Sequence, residues 1–165
     1  MTQGQQMAVD RYVGQFQAFA ANGGGQGTPA WLYDLRSTAI RRFAELGFPH
    51  TKQEAWRFTS VAPLVETPFA LTPPLVDARR ITAAEIRPYL LGGMGHTIAV
   101  FVNGHFAEGL SSIGDLPAGV KVGGLARALA QDPGLIQRHL GKYAPYQDSA
   151  FTALNTAFAY DGALV

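Results

Sequence analysis

The sequence has no cysteine in 165 residues, which excludes a disulfide framework, thiol catalysis and cysteine-ligated metal in this chain. Charge is also scarce. Asp, Glu, Lys and Arg make up 15%, 13 basic against 12 acidic, for a net charge of +1, whereas soluble domains carry about a quarter charged residues. A chain so balanced offers no strong field for a phosphate backbone, and this counts against nucleic acid as a partner. Long apolar runs are missing as well. The longest aliphatic and aromatic run is Ile98–Val102, far below the roughly 20 residues of a membrane-spanning helix. The opening MTQGQQMAVD has no basic cluster followed by an apolar stretch, so no secretory signal is expected. These absences point to a cytoplasmic protein with no membrane partner.

What is present is apolar residues (47%), glycine (19) and proline (10). Glycine and proline exceed their usual share of about 12%, so many short elements joined by turns are expected. Tyr12, Val13, Phe16, Phe19 and Ala20 share one helical face, and the run 22–27 that follows, rich in glycine, reads as a flexible breaker. Residues 1–27 are therefore expected to form a helical arm and linker. Thr28 and Pro29 then read as a cap and a first helical proline. Trp31, Leu32, Leu35, Ala39, Phe43 and Leu46 form the buried stripe of the next helix, with Arg36, Arg41 and Arg42 on its solvated side and Gly47 as its stop.

Thr51 and Glu54 fit a capping box for a helical turn over 52–58, as do Thr82 and Glu85 for a helix ending at Gly92-Gly93. Residues 60–76, with four prolines, read as an extended connector with a turn of helix. From Thr97 the period becomes two, and Asn103-Gly104 predicts a type I′ hairpin between 98–102 and 105–107. Val120–Val122 reads as a third strand. Short helices are expected over 125–130 and 133–140, the second capped by Asp132, and Asp148 is expected to cap a helix over 149–160. The fold class is α+β, with helices around a small antiparallel hairpin.

No chemical motif survives inspection. The glycine run 23–27 lacks the preceding strand and the following Gly-Lys-Ser/Thr of a phosphate loop. Gly109-Leu-Ser-Ser-Ile-Gly114 misses the second glycine of a nucleophile elbow, which leaves Ser111 and Ser112 as turn residues. His50, His96, His105 and His139 are scattered, with no i,i+4 metal pair. Arg36, Arg41, Arg42 and Arg57 read as solvated, and Lys52 with Trp56 as a structural cation–π pair. No catalytic, cofactor-binding or metal residue is expected, and the chain does not read as an enzyme.

The run Gly47-Phe-Pro-His-Thr-Lys-Gln-Glu-Ala-Trp-Arg-Phe-Thr59 resembles the N-terminal pattern of the SufD family, at Gly47, Pro49, Lys52, Glu54, Trp56, Arg57, Phe58 and Thr59. Phe101-Val-Asn-Gly-His-Phe106 resembles the family hairpin, Leu116–Val120 its following turn, and Phe151–Phe158 with Asp161-Gly162 the stretch leading to its core. The resemblance runs in order from Trp31 to Val165. It implies a scaffold subunit of iron–sulfur cluster assembly that pairs with SufB and engages the ATPase SufC. It also implies a right-handed parallel β-helix core, of which 161–165 would be the first strand and 28–160 the preceding α+β region. The SufC contact would lie in a helical C-terminal region and the cluster-related residues of the SufB interface in the later core, so none is carried over to a position here, and no cofactor is expected in this chain. Read so, the chain is a truncated opening of a longer protein whose terminal strand finds only makeshift pairing. The alternative reading is a stand-alone α+β interaction or regulatory domain.

Overall fold

A computed structural model describes residues 2–24, 27–72, 81–90 and 97–165. The helices are α1 (Gln3–Phe19), α2 (Ala30–Leu46), α3 (Ala62–Glu66), α4 (Ala83–Ile86), α5 (Leu125–Gln131), α6 (Pro133–His139) and α7 (Ala150–Ala157). The strands are β1 (Phe101–Val102), β2 (His105–Phe106), β3 (Gly123–Gly124) and β4 (Ala163–Leu164). The pairs β1–β2 and β3–β4 form two antiparallel two-stranded sheets. The α+β class stands, although most of the regular structure is helical. The chain divides into two units, Met1–Leu71 with Gln137–Ala159 and Thr72–Ile136 with Tyr160–Val165.

The first unit is built on α1, α2 and α7. Thr2 and Gln5 close a capping box at the start of α1. The apolar face then buries Ala8, Val9 and Phe16, with Tyr12, Val13 and Phe19 packed beside them. Helix α1 is thus part of this core. On the other side of α1, Arg11 and Gln15 donate to the carbonyls of Thr67 and Phe69 at 2.9 and 2.6 Å, holding the connector after α3. Aromatic rings fill the interior edge to face. Phe43 meets Phe48 at 5.2 Å and Tyr12 at 6.0 Å, and Phe16 meets Phe158 at 5.9 Å; such pairs add about 0.5–1.5 kcal/mol each beyond burial.

The expected caps shift where tertiary partners compete for the side chain. Pro29, not Thr28, is the N-cap of α2; the Thr28 hydroxyl donates to the Gly24 carbonyl at 2.7 Å and accepts from Arg36 Nη1 at 3.4 Å. Ser149, not Asp148, caps α7 by accepting from the Thr152 N–H, and the helix ends at Ala157. Asp148 instead lies 3.7 Å from Arg42. The Thr51–Glu54 box does not form; a 3-10 turn over Glu54–Trp56 stands there, and Gln53 takes the His50 N–H. The Lys52–Trp56 pair is likewise replaced, since Arg57 stacks on Phe58 at 5.3 Å and Trp56 on Phe151 at 5.4 Å. Gly47, φ 65°, ends α2 as expected, and its N–H bonds the Phe43 carbonyl.

In the second unit Asn103 (φ 50°) and Gly104 (φ 83°) form the left-handed turn that Asn-Gly predicts, and Phe101 pairs with Phe106 across it. The third strand falls on Gly123–Gly124 rather than Val120–Val122. The reason is close approach. A Cβ on Gly124 would lie 2.7 Å from Phe106 Cβ and 3.2 Å from Asp161 Oδ1, so only glycine fits the pairing position. The terminal strand has a defined partner, with Leu164 opposite Gly123 and Ala163 opposite Gly124, while Val165 is 93% exposed. Asp132 caps α6 by accepting from Leu135 N–H at 2.9 Å. Helix α4 ends at Ile86 and a 3-10 turn continues over Arg87–Tyr89; Gly92-Gly93, expected to end this helix, lie outside the described residues.

The Thr82–Glu85 box holds. The Glu85 carboxylate accepts from the Thr82 N–H at 2.7 Å and its hydroxyl at 2.8 Å. Its pKa is lowered from 4.5, first by the Thr82 backbone bond and then by the hydroxyl bond. A depressed carboxylate stabilises its turn fully above 4.5 and loses that contribution as pH falls through the lowered value. The Thr82 amide resonance should therefore titrate with a midpoint below 4.5; a midpoint at or above 4.5 contradicts the box.

Candidate functional site

Two charged groups organise the described residues, one in each unit. Arg36 was expected on the solvated side of its helix and is instead 3% exposed. Its position explains why: Leu32, Arg36, Ala39, Ile40 and Phe43 are the buried residues of α2, a stripe at i, i+4, i+7, i+8 and i+11. The guanidinium is desolvated but richly bonded. Nη1 donates to the Gly24 carbonyl at 2.6 Å, and Nε and Nη2 both donate to the Ala159 carbonyl at 3.0 and 2.5 Å. Thr28 Oγ1 is 3.4 Å away and the Phe19 ring centroid 5.5 Å.

The glycine run is therefore an anchor point at Gly24. Residues Ala20–Gly24 form a π-helical turn, and a Cβ on Gly24 would strike the Phe19 ring at 2.4 Å. This bare backbone turns the carbonyl onto Arg36. One guanidinium thus joins the end of α1, the entry to α2 and the exit of α7. It satisfies carbonyls left over at helix ends, and its rigid fork suits that task as a lysine would not.

In the second unit Asp161 plays the complementary part. Oδ2 accepts from the Phe106 N–H at 2.8 Å, and Oδ1 from Ala126 N–H at 2.9 Å and Gly162 N–H at 2.8 Å. The carboxylate links β2, the first turn of α5 and the approach to β4. Beside this cluster lies an open groove of about 630 Å³. Half-buried Phe106, Ile113, Val122, Leu135 and Leu164 contribute its apolar surface, and exposed Glu108, Lys121, Arg127 and Asp132 its charges. Arg127 and Glu108 pair at 2.7 Å.

The serines and histidines weighed in the sequence make local contacts. Ser111 Oγ accepts from Val100 N–H at 2.9 Å and donates to the Ala107 carbonyl at 2.8 Å, so it ties the hairpin to the following turn. Ser112 forms a backbone bridge with Ile98. His50 Nδ1 accepts from Lys52 N–H, His105 stacks near Tyr160, and His139 lies 2.5 Å from the Tyr143 hydroxyl. His96 lies outside the described residues. Among the described residues there is no cluster of three His, Cys, Asp or Glu that could hold a metal, and no helix long and apolar enough to cross a membrane. Of the four arginines singled out in the sequence, Arg36 is internal, Arg42 is held by Glu45 at 2.8 Å and by the Gln147 carbonyl, Arg41 reaches back to Ser37 and Thr38 of its own helix, and Arg57 lies over the Phe58 ring.

The segments singled out in the sequence converge pairwise. Phe48 and Trp56 both pack on Phe151, at 6.0 and 5.4 Å, joining the 47–59 run to the 151–158 stretch. Asp161 binds the Phe106 N–H, joining Asp161-Gly162 to the hairpin. The chain matches the family model described as the SufBD protein N-terminal region over residues 10–165. It belongs to the SufBD family. A Synechocystis protein described as an iron–sulfur cluster assembly SufBD family protein is 28% identical over 136 residues, covering 81% of this chain. The SufBD chain spans 28% of the length of that relative. No solved structure matches it.

Arg36→Met keeps the side chain's bulk and strips the donors from the buried Gly24 carbonyl and the half-buried Ala159 carbonyl. Unfolding by urea should show a loss of about 2–5 kcal/mol, with Arg36→Lys recovering less than half. A loss below about 0.5 kcal/mol would mean that the guanidinium is not the clamp. Asp161→Asn should speed hydrogen exchange selectively at Phe106 or at Ala126, whichever faces the amide nitrogen, because that nitrogen cannot accept where an oxygen stood. Unchanged exchange at both amides would contradict the three-donor arrangement.

Proposed function

We infer that this chain is the N-terminal part of a SufD-like scaffold subunit that joins SufB and SufC in the SufBCD complex and takes part in iron–sulfur cluster assembly in the cytoplasm. The observation that carries this reading is the SufBD N-terminal match across residues 10–165. The run from Gly47 to Thr59 favours SufD over SufB, since the SufB pattern is not expected to contain it. The chemistry is compatible with a scaffold. Arg36, Asp161 and Ser111 are each engaged in backbone contacts, which builds shape rather than a reaction centre. In this reading the cluster is cargo, and no residue of this chain ligates it.

Co-purification of the full-length protein with the SufB and SufC proteins of the same source tests the assignment. A complex with either, at a fixed ratio through size-exclusion chromatography, is the expected result. Separate elution of all three proteins overturns it.

A further inference from the structure

Every residue from 51 to 60 is exposed except Trp56. Trp56 is the anchor of this projecting turn, its ring on Phe151 at 5.4 Å, and Phe48 and Pro49 are buried at its base. Phe58, two residues further on, is 92% exposed, and the described fold gives its ring no apolar packing. The ring is nevertheless held in place. The Arg57 guanidinium lies 5.3 Å from its centroid, and the backbone on either side is tied by Arg57 N–H to the Glu54 carbonyl and Thr59 N–H to the Trp56 carbonyl. Arg57 and Glu54 are 3.9 Å apart and both well exposed, a separation at which an ion pair contributes little and leaves the cation available. Lys52 adds a second exposed cation on the same turn.

An exposed aromatic beside an arginine has the composition of an interface hot spot, and its fixed turn reduces the ordering cost of association. Two cations against one carboxylate set the sign of the complementary surface. We propose that Phe58, flanked by Arg57 and Lys52, is a docking knob that enters an apolar socket with a carboxylate rim on an assembly partner. A protein partner is favoured over a nucleic acid, since the ring is already stacked by Arg57 and the chain's net charge is only +1. The identity of the partner probes rests on the SufBCD reading.

The test measures binding of the full-length protein, as wild type, Phe58→Ala and Arg57→Glu, to purified SufB and SufC of the same source and to a single-stranded oligonucleotide. Phe58→Ala should weaken binding to a protein probe about 30-fold with an unchanged melting temperature. Arg57→Glu should slow association and flatten its salt dependence. Equal binding by wild type and Phe58→Ala overturns the knob alone, and a lowered melting temperature in Phe58→Ala does the same by showing that the ring is internal packing. Binding by the wild type to neither protein overturns the knob and the assembly reading together. Phe58-dependent binding to the oligonucleotide alone replaces the protein socket with a base-stacking role.

Discussion

A buried guanidinium holds the first unit together. Taking Arg36 out of water is costly, and the cost is met only because Gly24 and Ala159 present carbonyls at 2.5–3.0 Å. Each of the three helices involved ends or begins at this point, so the geometry of α1, α2 and α7 is interlocked through one side chain. Much else follows from that constraint. Gly24 must lack a Cβ, Thr28 must surrender its capping role, and α7 must stop in time to expose the Ala159 carbonyl.

The second unit reaches a similar result with the opposite sign. Asp161 gathers amide donors where Arg36 gathers carbonyl acceptors, and both act on backbone rather than on other side chains. This division suits a chain with few charges and no cysteine: small elements are fixed by a few multidentate polar centres, and aromatic rings supply bulk around the first. Such rigidity also fixes the projection of surface segments such as the 51–60 turn.

Local chemistry was legible in the sequence wherever it acted within a few residues. Asn103-Gly104, Thr82 with Glu85, and Asp132 before Pro133 all behave as their types require. Readings that depended on distant partners went astray. Arg36 was sorted by its charge although its spacing from Leu32 and Ala39 already placed it in the stripe. Thr28 and Asp148 were read as caps because nothing nearby signals that Arg36 and Arg42 compete for that neighbourhood. Val120–Val122 was preferred as a strand for its β-branched side chains, whereas the true pairing site was chosen for having none, since Phe106 and Asp161 leave no space beside Gly124. The candidate site was the least legible of all. Phe58 entered only as one residue of the Gly47–Thr59 resemblance, and its exposure emerges from the fold, in which Trp56 packs on Phe151 and Phe58 stands outside.

The split of the first unit across the sequence bears on how the chain acquires its shape. The two Arg36 carbonyl partners lie 12 and 123 residues away. Closing the longer loop costs about 2 kcal/mol more entropy than closing the shorter one. During synthesis α1 and α2 can meet as soon as both leave the ribosome, but α7 must await the 72–136 segment of the second unit. Until then Arg36 has only half its clamp, and the aromatic surface that receives Phe151 and Phe158 stands open. The interval between those events is when this polypeptide is most exposed to aggregation, and its length is set by the 65 residues that separate the two segments of the first unit.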